Sequence, residues 1–215
     1  YNDLVFEIVP ILQISRSEEA INITDVSPLH AAWVNQNTRK LKDQIRLAKE
    51  FCKAHKLYGA ESYIQGFSGY VLEILIVQYG SFVKLLQASA RWTKKKVIDV
   101  EDHYPKKDAL FHLNQSKTIS PIVVVDPVDK LRNAAAALSE EKISLFKEIA
   151  KKYLVEPSET FFEKVILTAD TVVEKAQKLK GHAVVIKVEP VEGKEDVVGA
   201  KLLKGLSKKL LPENT

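Results

Sequence analysis

Residues 69–78, Gly-Tyr-Val-Leu-Glu-Ile-Leu-Ile-Val-Gln, are apolar on almost every helical face, with Ser68 before them and Gly80-Ser81 after. A serine hydroxyl is a good acceptor for the first free amides of a helix. A helix apolar all round has to be surrounded by other elements, so this segment demands a helical domain built about it. The neighbours are legible. From Thr38, Leu41, Ile45, Ala48, Phe51 and Cys52 recur at helical spacing, and Gly59 closes that unit. Phe82, Leu85, Leu86 and Ala90 predict a third helix ending near Trp92. A fourth helical segment is read from Asn133 to Leu154, with Ser139 able to recap it and Ile143, Phe146, Ile149, Ala150 and Tyr153 as its buried stripe.

Two apolar runs read as strands. Residues 4–14 are β-branched and apolar around Glu7, with Pro10 confining the strand to an edge or ending it. The run from Ile122 to Val125 is stopped by Asp126-Pro127. Beyond Pro157 the composition changes to a helix near 168–180, a strand from Ala183 to Val188 and a Lys- and Gly-containing helix to Leu211, which predicts an α/β unit. The expected fold class is therefore mainly α, with domains at 1–35, 36–157 and 158–215.

Thirty-two basic and 28 acidic residues leave a net charge of +4, so a polyanionic partner has to be argued from local residues. No apolar run approaches the ~18 residues of a membrane span. The N-terminus pairs no basic stretch with an apolar one, so the chain is expected to be soluble and cytoplasmic, without a membrane partner. One cysteine, Cys52, excludes an internal disulfide. The chain begins at Tyr1 and contains no methionine, so it is expected to be a fragment or to lack residues of the natural product.

Common catalytic signatures are missing. One Cys and five scattered His give no zinc spacing, and neither G-x-G-x-x-G nor G-x-x-x-x-G-K-[ST] occurs. Instead, short segments follow in order: Glu7-Ile-Val-Pro10, Ser27-Pro-Leu-His30, Arg46-Leu-Ala-Lys49, Tyr58-Gly-Ala-Glu61, Gly66-Phe-Ser-Gly-Tyr70, Glu73-Ile-Leu75, Tyr79-Gly-Ser-Phe82, Trp92 and Ile98-Asp99. Asp126-Pro-Val-Asp129, Arg132-Asn-Ala-Ala135, Pro157-Ser158 and Phe161-Phe162 complete the series. Over residues 1 to about 165 the chain resembles the class I (archaeal) CCA-adding tRNA nucleotidyltransferases.

That resemblance implies a helical central domain of the nucleotidyltransferase substrate-binding type, preceded by a remnant β-strand of a polymerase-β-like head and followed by the start of an α/β body domain. It implies template-independent addition of C, C and A to the 3′ end of tRNA from CTP and ATP, with two metal ions, Mg2+, held by three carboxylates. The first two belong to a Gly-Ser…Asp/Glu-x-Asp segment that is not in this sequence. Glu7 stands where the third, an Asp, is expected, which makes Glu7 the catalytic and metal-ligating candidate and leads to the expectation that the chain is inactive alone. Read from its residues only, Glu7 is an outward-facing acid on a half-buried strand.

The resemblance further implies that His30, Lys49 and Tyr58 bind the triphosphate and sugar, and that Arg132 faces the nucleobase. A lysine offers phosphate a mobile point charge, and a guanidinium offers a fixed fork of donors. Arg132 also suits a clamp to Asp129 or Asp126, and the two roles are compatible. Glu73, on an otherwise apolar helix, needs a partner or an exposed edge. Arg91, Lys94, Lys95 and Lys96 could grip an RNA backbone with Trp92 stacking, or form a solvated helix end over a packed indole. The expected partners are the 3′ end and acceptor stem of tRNA; a homodimer is left open. Two other functions remain open: a related enzyme that tails another RNA, and a non-catalytic helical RNA-binding or interaction module.

Overall fold

The computed structural model describes residues 6, 8–93, 95–104 and 109–164. Two compact units divide the chain, residues 1–163 and 164–215, and the helices and strand expected beyond residue 164 lie outside the described residues. Among its described residues the first unit carries six α-helices: α1 (Ser27–Asn37), α2 (Lys42–Ala54), α3 (Gly69–Tyr79), α4 (Phe82–Ser89), α5 (Ala109–His112) and α6 (Glu140–Val155). Short 3-10 turns occur at Ser17–Glu19, Ile23–Val26, Gln115–Thr118 and Glu159–Phe162. Strands β1 (Lys96–Ile98) and β2 (Ile122–Val124) pair in parallel, with Val97 opposite Val123.

Helix α3 forms where the sequence places it. The Ser68 hydroxyl accepts from the Val71 amide at 3.1 Å, and Gly80 ends the helix at a φ of +79° that glycine adopts without strain. Val71, Leu72, Ile74, Leu75 and Ile76 are all buried. Around them the side chains of α2, α4 and α6 close one core with Phe51 near its centre. The Phe51 ring lies 5.3 Å from that of Phe82 and 6.2 Å from that of Phe146, both edge-on. The residues of β2 alternate in the way a pleat dictates. Ile122 and Val124 face this core, while Val123 and Val125 face a smaller cluster with Tyr104, Ala109 and Leu113. Among the described residues no single helix is long and apolar enough to cross a membrane; α3 and α4 pass only as a pair bent by 92°.

Two expectations change, and one helix appears that the sequence reading did not name. Ser27-Pro28 opens a helix, α1, with proline in the first turn, where its missing amide costs nothing; α1 packs against α3. The segment 133–138 is not helical. Asn133 Oδ1 accepts from the amides of Val124 and Ala135 at 3.0 Å, which ties this stretch to the end of β2. Helix α6 starts only at Glu140, where the Ser139 hydroxyl accepts from the Lys142 amide. Of the run 4–14, residues 4, 5 and 7 lie outside the described residues, and residues 8–14 form no strand. The Leu12 amide donates instead to the Asp25 carboxylate at 2.9 Å, and Ile8 is 92% exposed.

Replacing Phe51 by alanine removes a fully buried ring from the centre of this core and is expected to destabilise the domain by about 3–5 kcal/mol. Urea unfolding of the two proteins measures the difference.

Candidate functional site

Asp126 lies two residues beyond the end of β2, and the chain then turns back on itself. The Asp126 amide donates to the Arg132 carbonyl at 3.0 Å, and the Arg132 amide donates to the Asp129 carbonyl at 2.9 Å. Residues 126 and 132 therefore stand side by side, and Arg132 reaches the Asp126 carboxylate with its Nη1. The loop is held from its far side as well. The Tyr104 hydroxyl donates to the Lys130 carbonyl at 2.7 Å, and His103 Nε2 lies 2.9 Å from the Pro127 carbonyl oxygen.

The Asp126 side chain has no solvent exposure. Its Oδ1 accepts from the Tyr70 hydroxyl and the Val128 amide, each at 3.0 Å. Its Oδ2 faces His30 Nε2 at 3.0 Å as well as Arg132. The rings of His30 and Tyr70 lie 4.3 Å apart. Burial opposes the charge of Asp126. The hydrogen bond and charge of His30, the Val128 amide and the charge of Arg132 outweigh that penalty and hold the carboxyl below its ordinary value of 3.8. Burial, then the neighbouring Asp126, raises the Tyr70 hydroxyl, which keeps it a donor.

One turn along α3, Glu73 accepts a hydrogen bond from Lys49 Nζ at 2.6 Å, which answers the need for a partner on an apolar helix. Tyr70 and Glu73 share a helix face because they are three residues apart. With Ser27, His30, Ala31, Val34 and Asn35 of α1 they line an open groove of about 400 Å3. Tyr58 reaches the start of α3 because Gly69 leaves room. A Cβ at Gly69 would stand 2.8 Å from the Tyr58 hydroxyl and 3.5 Å from Lys49 Nζ. The structure thus gathers His30, Lys49, Tyr58 and Arg132 around the first half of α3, through Tyr70, Glu73, Gly69 and Asp126.

The other sequence candidates are placed differently. Glu7 and Lys94 lie outside the described residues. Arg91 is exposed and Lys96 begins β1, half-buried. Lys95 Nζ donates to the carbonyls of Ile119 and Ser120 at 3.1 and 3.3 Å and also to that of Thr118. Trp92 is buried, its indole donating to the Tyr79 hydroxyl at 3.0 Å, and so has no face free to stack on a base. Among the described residues no group of three or more His, Cys, Asp or Glu side chains could hold a metal ion. The described residues by themselves do not fit a metal ion. Sequence reasoning offered Asp126 as one of two clamps for Arg132, which the structure shows, but missed Tyr70 and the contact of Asp126 with His30. The signals were available: Tyr70 shares a face with Glu73, and Asp126 is the first charge after an apolar strand.

The folded pKa of Asp126 lies below the unfolded one, so its contribution to stability is complete above about pH 4 and is lost as pH falls through the folded value. Asp126→Asn is expected to cost about 3–5 kcal/mol at neutral pH, because it removes one partner of a buried ion pair. The variant should also show a smaller loss of stability than the parent on going from pH 5 to pH 2. Urea unfolding at several pH values checks both.

The described fold is a helical domain with a small two-stranded parallel sheet, and its candidate site gathers around the buried Asp126. The family profile described as tRNA nucleotidyltransferase, second domain, matches residues 43–163. The chain is 38% identical over 203 residues to the CCA-adding enzyme of Nanoarchaeum equitans, covering 94% of this chain and 48% of that protein. It is 34% identical over 217 residues to the CCA-adding enzyme of Pyrococcus abyssi, covering 98% and 48%. A third relative, the CCA-adding enzyme of Saccharolobus shibatae, is 34% identical over 212 residues, covering 96% and 46%. The chain belongs to the family of tRNA nucleotidyltransferases, whose second domain its residues 43–163 match. It spans about half the length of the curated relatives it matches.

Proposed function

We propose that this chain supplies the nucleotide-binding and tRNA-facing parts of an enzyme that adds CCA to the 3′ end of tRNA from CTP and ATP without a template, in the cytoplasm. The observation that carries the reading is the convergence of His30, Tyr70 and Arg132 on the buried Asp126, beside the Lys49–Glu73 pair. In this reading the Lys49 ammonium meets the triphosphate, and Tyr58 and His30 add donors toward phosphate and sugar. Arg132, pinned through Nη1, turns its remaining donors to the acceptors on the Watson–Crick edge of C or A. Those bases also carry an amino group that needs an acceptor, and the phosphates of the bound tRNA are suited to supply it. Mg2+ belongs to the head of the intact enzyme, with Glu7 as the residue this chain contributes to it. Residues 1–35, 36–157 and 158–215 correspond in this reading to head, central domain and body.

The tRNA acceptor stem is recognised by shape and backbone, as A-form stems usually are. Arg91 and Lys96, with Lys94 between them in sequence, are the part of the basic run suited to phosphate; Lys95 is committed to the carbonyls of residues 118–120.

The test gives the full-length product a tRNA without its CCA, with Mg2+, labelled CTP and then ATP. Two C residues and one A are expected. Incorporation of other nucleotides, or addition only to another RNA, would support a related tailing enzyme, and RNA binding without incorporation would support a binding module. Arg132→Ala is expected to lower kcat/KM for CTP and ATP by about 10- to 100-fold, as loss of charged hydrogen bonds worth about 1.5–3 kcal/mol implies. Gly69→Ala should leave the melting temperature within a few degrees. It should also weaken CTP binding in a titration, since the added methyl displaces the Tyr58 hydroxyl.

A further inference from the structure

Arg132 cannot present a fixed edge on its own, because it ends a long side chain on a loop and remains 30% exposed. Its direction is set by what it is fastened to. The fastening is a carboxylate with no exposure, whose two oxygens are already oriented by the Tyr70 hydroxyl, the Val128 amide and His30. The backbone behind that carboxylate is fixed twice, once by β2 and once by the contacts of His103 and Tyr104 with the carbonyls of Pro127 and Lys130. Every part of the loop that could let the guanidinium swing is therefore tied down.

We infer that Asp126 is the positioning residue that sets nucleotide selectivity, by holding the Arg132 guanidinium at one angle and His30 at its edge. This rests on the reading above that Arg132 faces the base. A base edge is read by donors only if they do not rotate to suit whichever base arrives. A free arginine would accommodate the O4 of U or the O6 of G, both acceptors, as readily as the acceptors of C and A. A guanidinium locked through Nη1 can match one arrangement of acceptors and misfit the others. The side chain of Asp126 touches neither the base nor the reacting phosphorus in this arrangement; it acts through Arg132 and His30.

The account predicts a coupled pair. In the full-length enzyme, Asp126→Asn keeps the shape and leaves an oxygen that can accept from Tyr70 and Val128, but its amide group offers Arg132 no charge. The ratio of kcat/KM for CTP over UTP should fall by about 10- to 100-fold. Arg132→Lys should lower the same ratio, and the double variant should be no worse than the more damaged single variant, since both remove one function. Losses that multiply in the double variant, or an Asp126→Asn protein that discriminates like the parent, would overturn the inference. A parent enzyme that fails to distinguish CTP from UTP would instead overturn the reading of the site itself.

A second measurement needs no variant to fold. In the parent chain with 15N-labelled arginine, the Arg132 side chain should give separate, slowly exchanging Nη signals, as a guanidinium held at a buried carboxylate does. A single averaged signal for Arg132 in the folded parent would show that Asp126 does not fix it and would overturn the inference equally.

Discussion

A carboxylate with no exposure can remain charged only where donors and positive charge surround it, and Asp126 organises its neighbourhood for that reason. Four groups from four parts of the chain answer it: His30 from α1, Tyr70 from α3, the Val128 amide from the adjoining turn, and Arg132 after the loop has come back. Removing any one leaves a buried charge short of a partner, so the groups are held together by the cost of separation. That cost is what turns a set of side chains far apart in sequence into one site.

Helix α3 serves both the core and the site. Its buried side chains are wedged among α2, α4 and α6, which fixes the helix in position and rotation. Its remaining face, with Tyr70 and Glu73, looks onto the groove against α1. The groove wall is therefore as rigid as the core behind it. Gly69 extends the same economy to Tyr58 and Lys49, which approach the first turn only because no side chain stands there.

Much of this was legible beforehand. The period and caps of α3 follow from Ser68, the apolar run and Gly80, and the stripe of α6 follows from spacing alone. The candidate residues His30, Lys49, Tyr58 and Arg132 were named through the order of short motifs, and the structure brings them together around α3. What was not legible depends on contacts distant in sequence. The Asn133 side chain bonds to the β2 amide of Val124, and this local competition keeps 133–138 out of the helix that the alanines otherwise favour. The indole of Trp92, beside a basic run, reads equally as a stacking platform or a packed ring, and only the Tyr79 hydroxyl beside it decides. Asp126 was legible as one of two possible partners of Arg132, but its contacts with His30 and Tyr70 were not. Its 96-residue separation from His30 is a relation that no local pattern carries.

The most direct test of the central claim, that His30, Lys49, Tyr58 and Arg132 form one nucleotide site over α3, is amide chemical-shift mapping of the folded chain titrated with CTP and separately with ATP. The account predicts saturable shifts confined to Gly69, Tyr70, Glu73, the 126–132 loop and the start of α1, at the same residues for both nucleotides. Saturable shifts clustered elsewhere, with these residues unmoved, would contradict it.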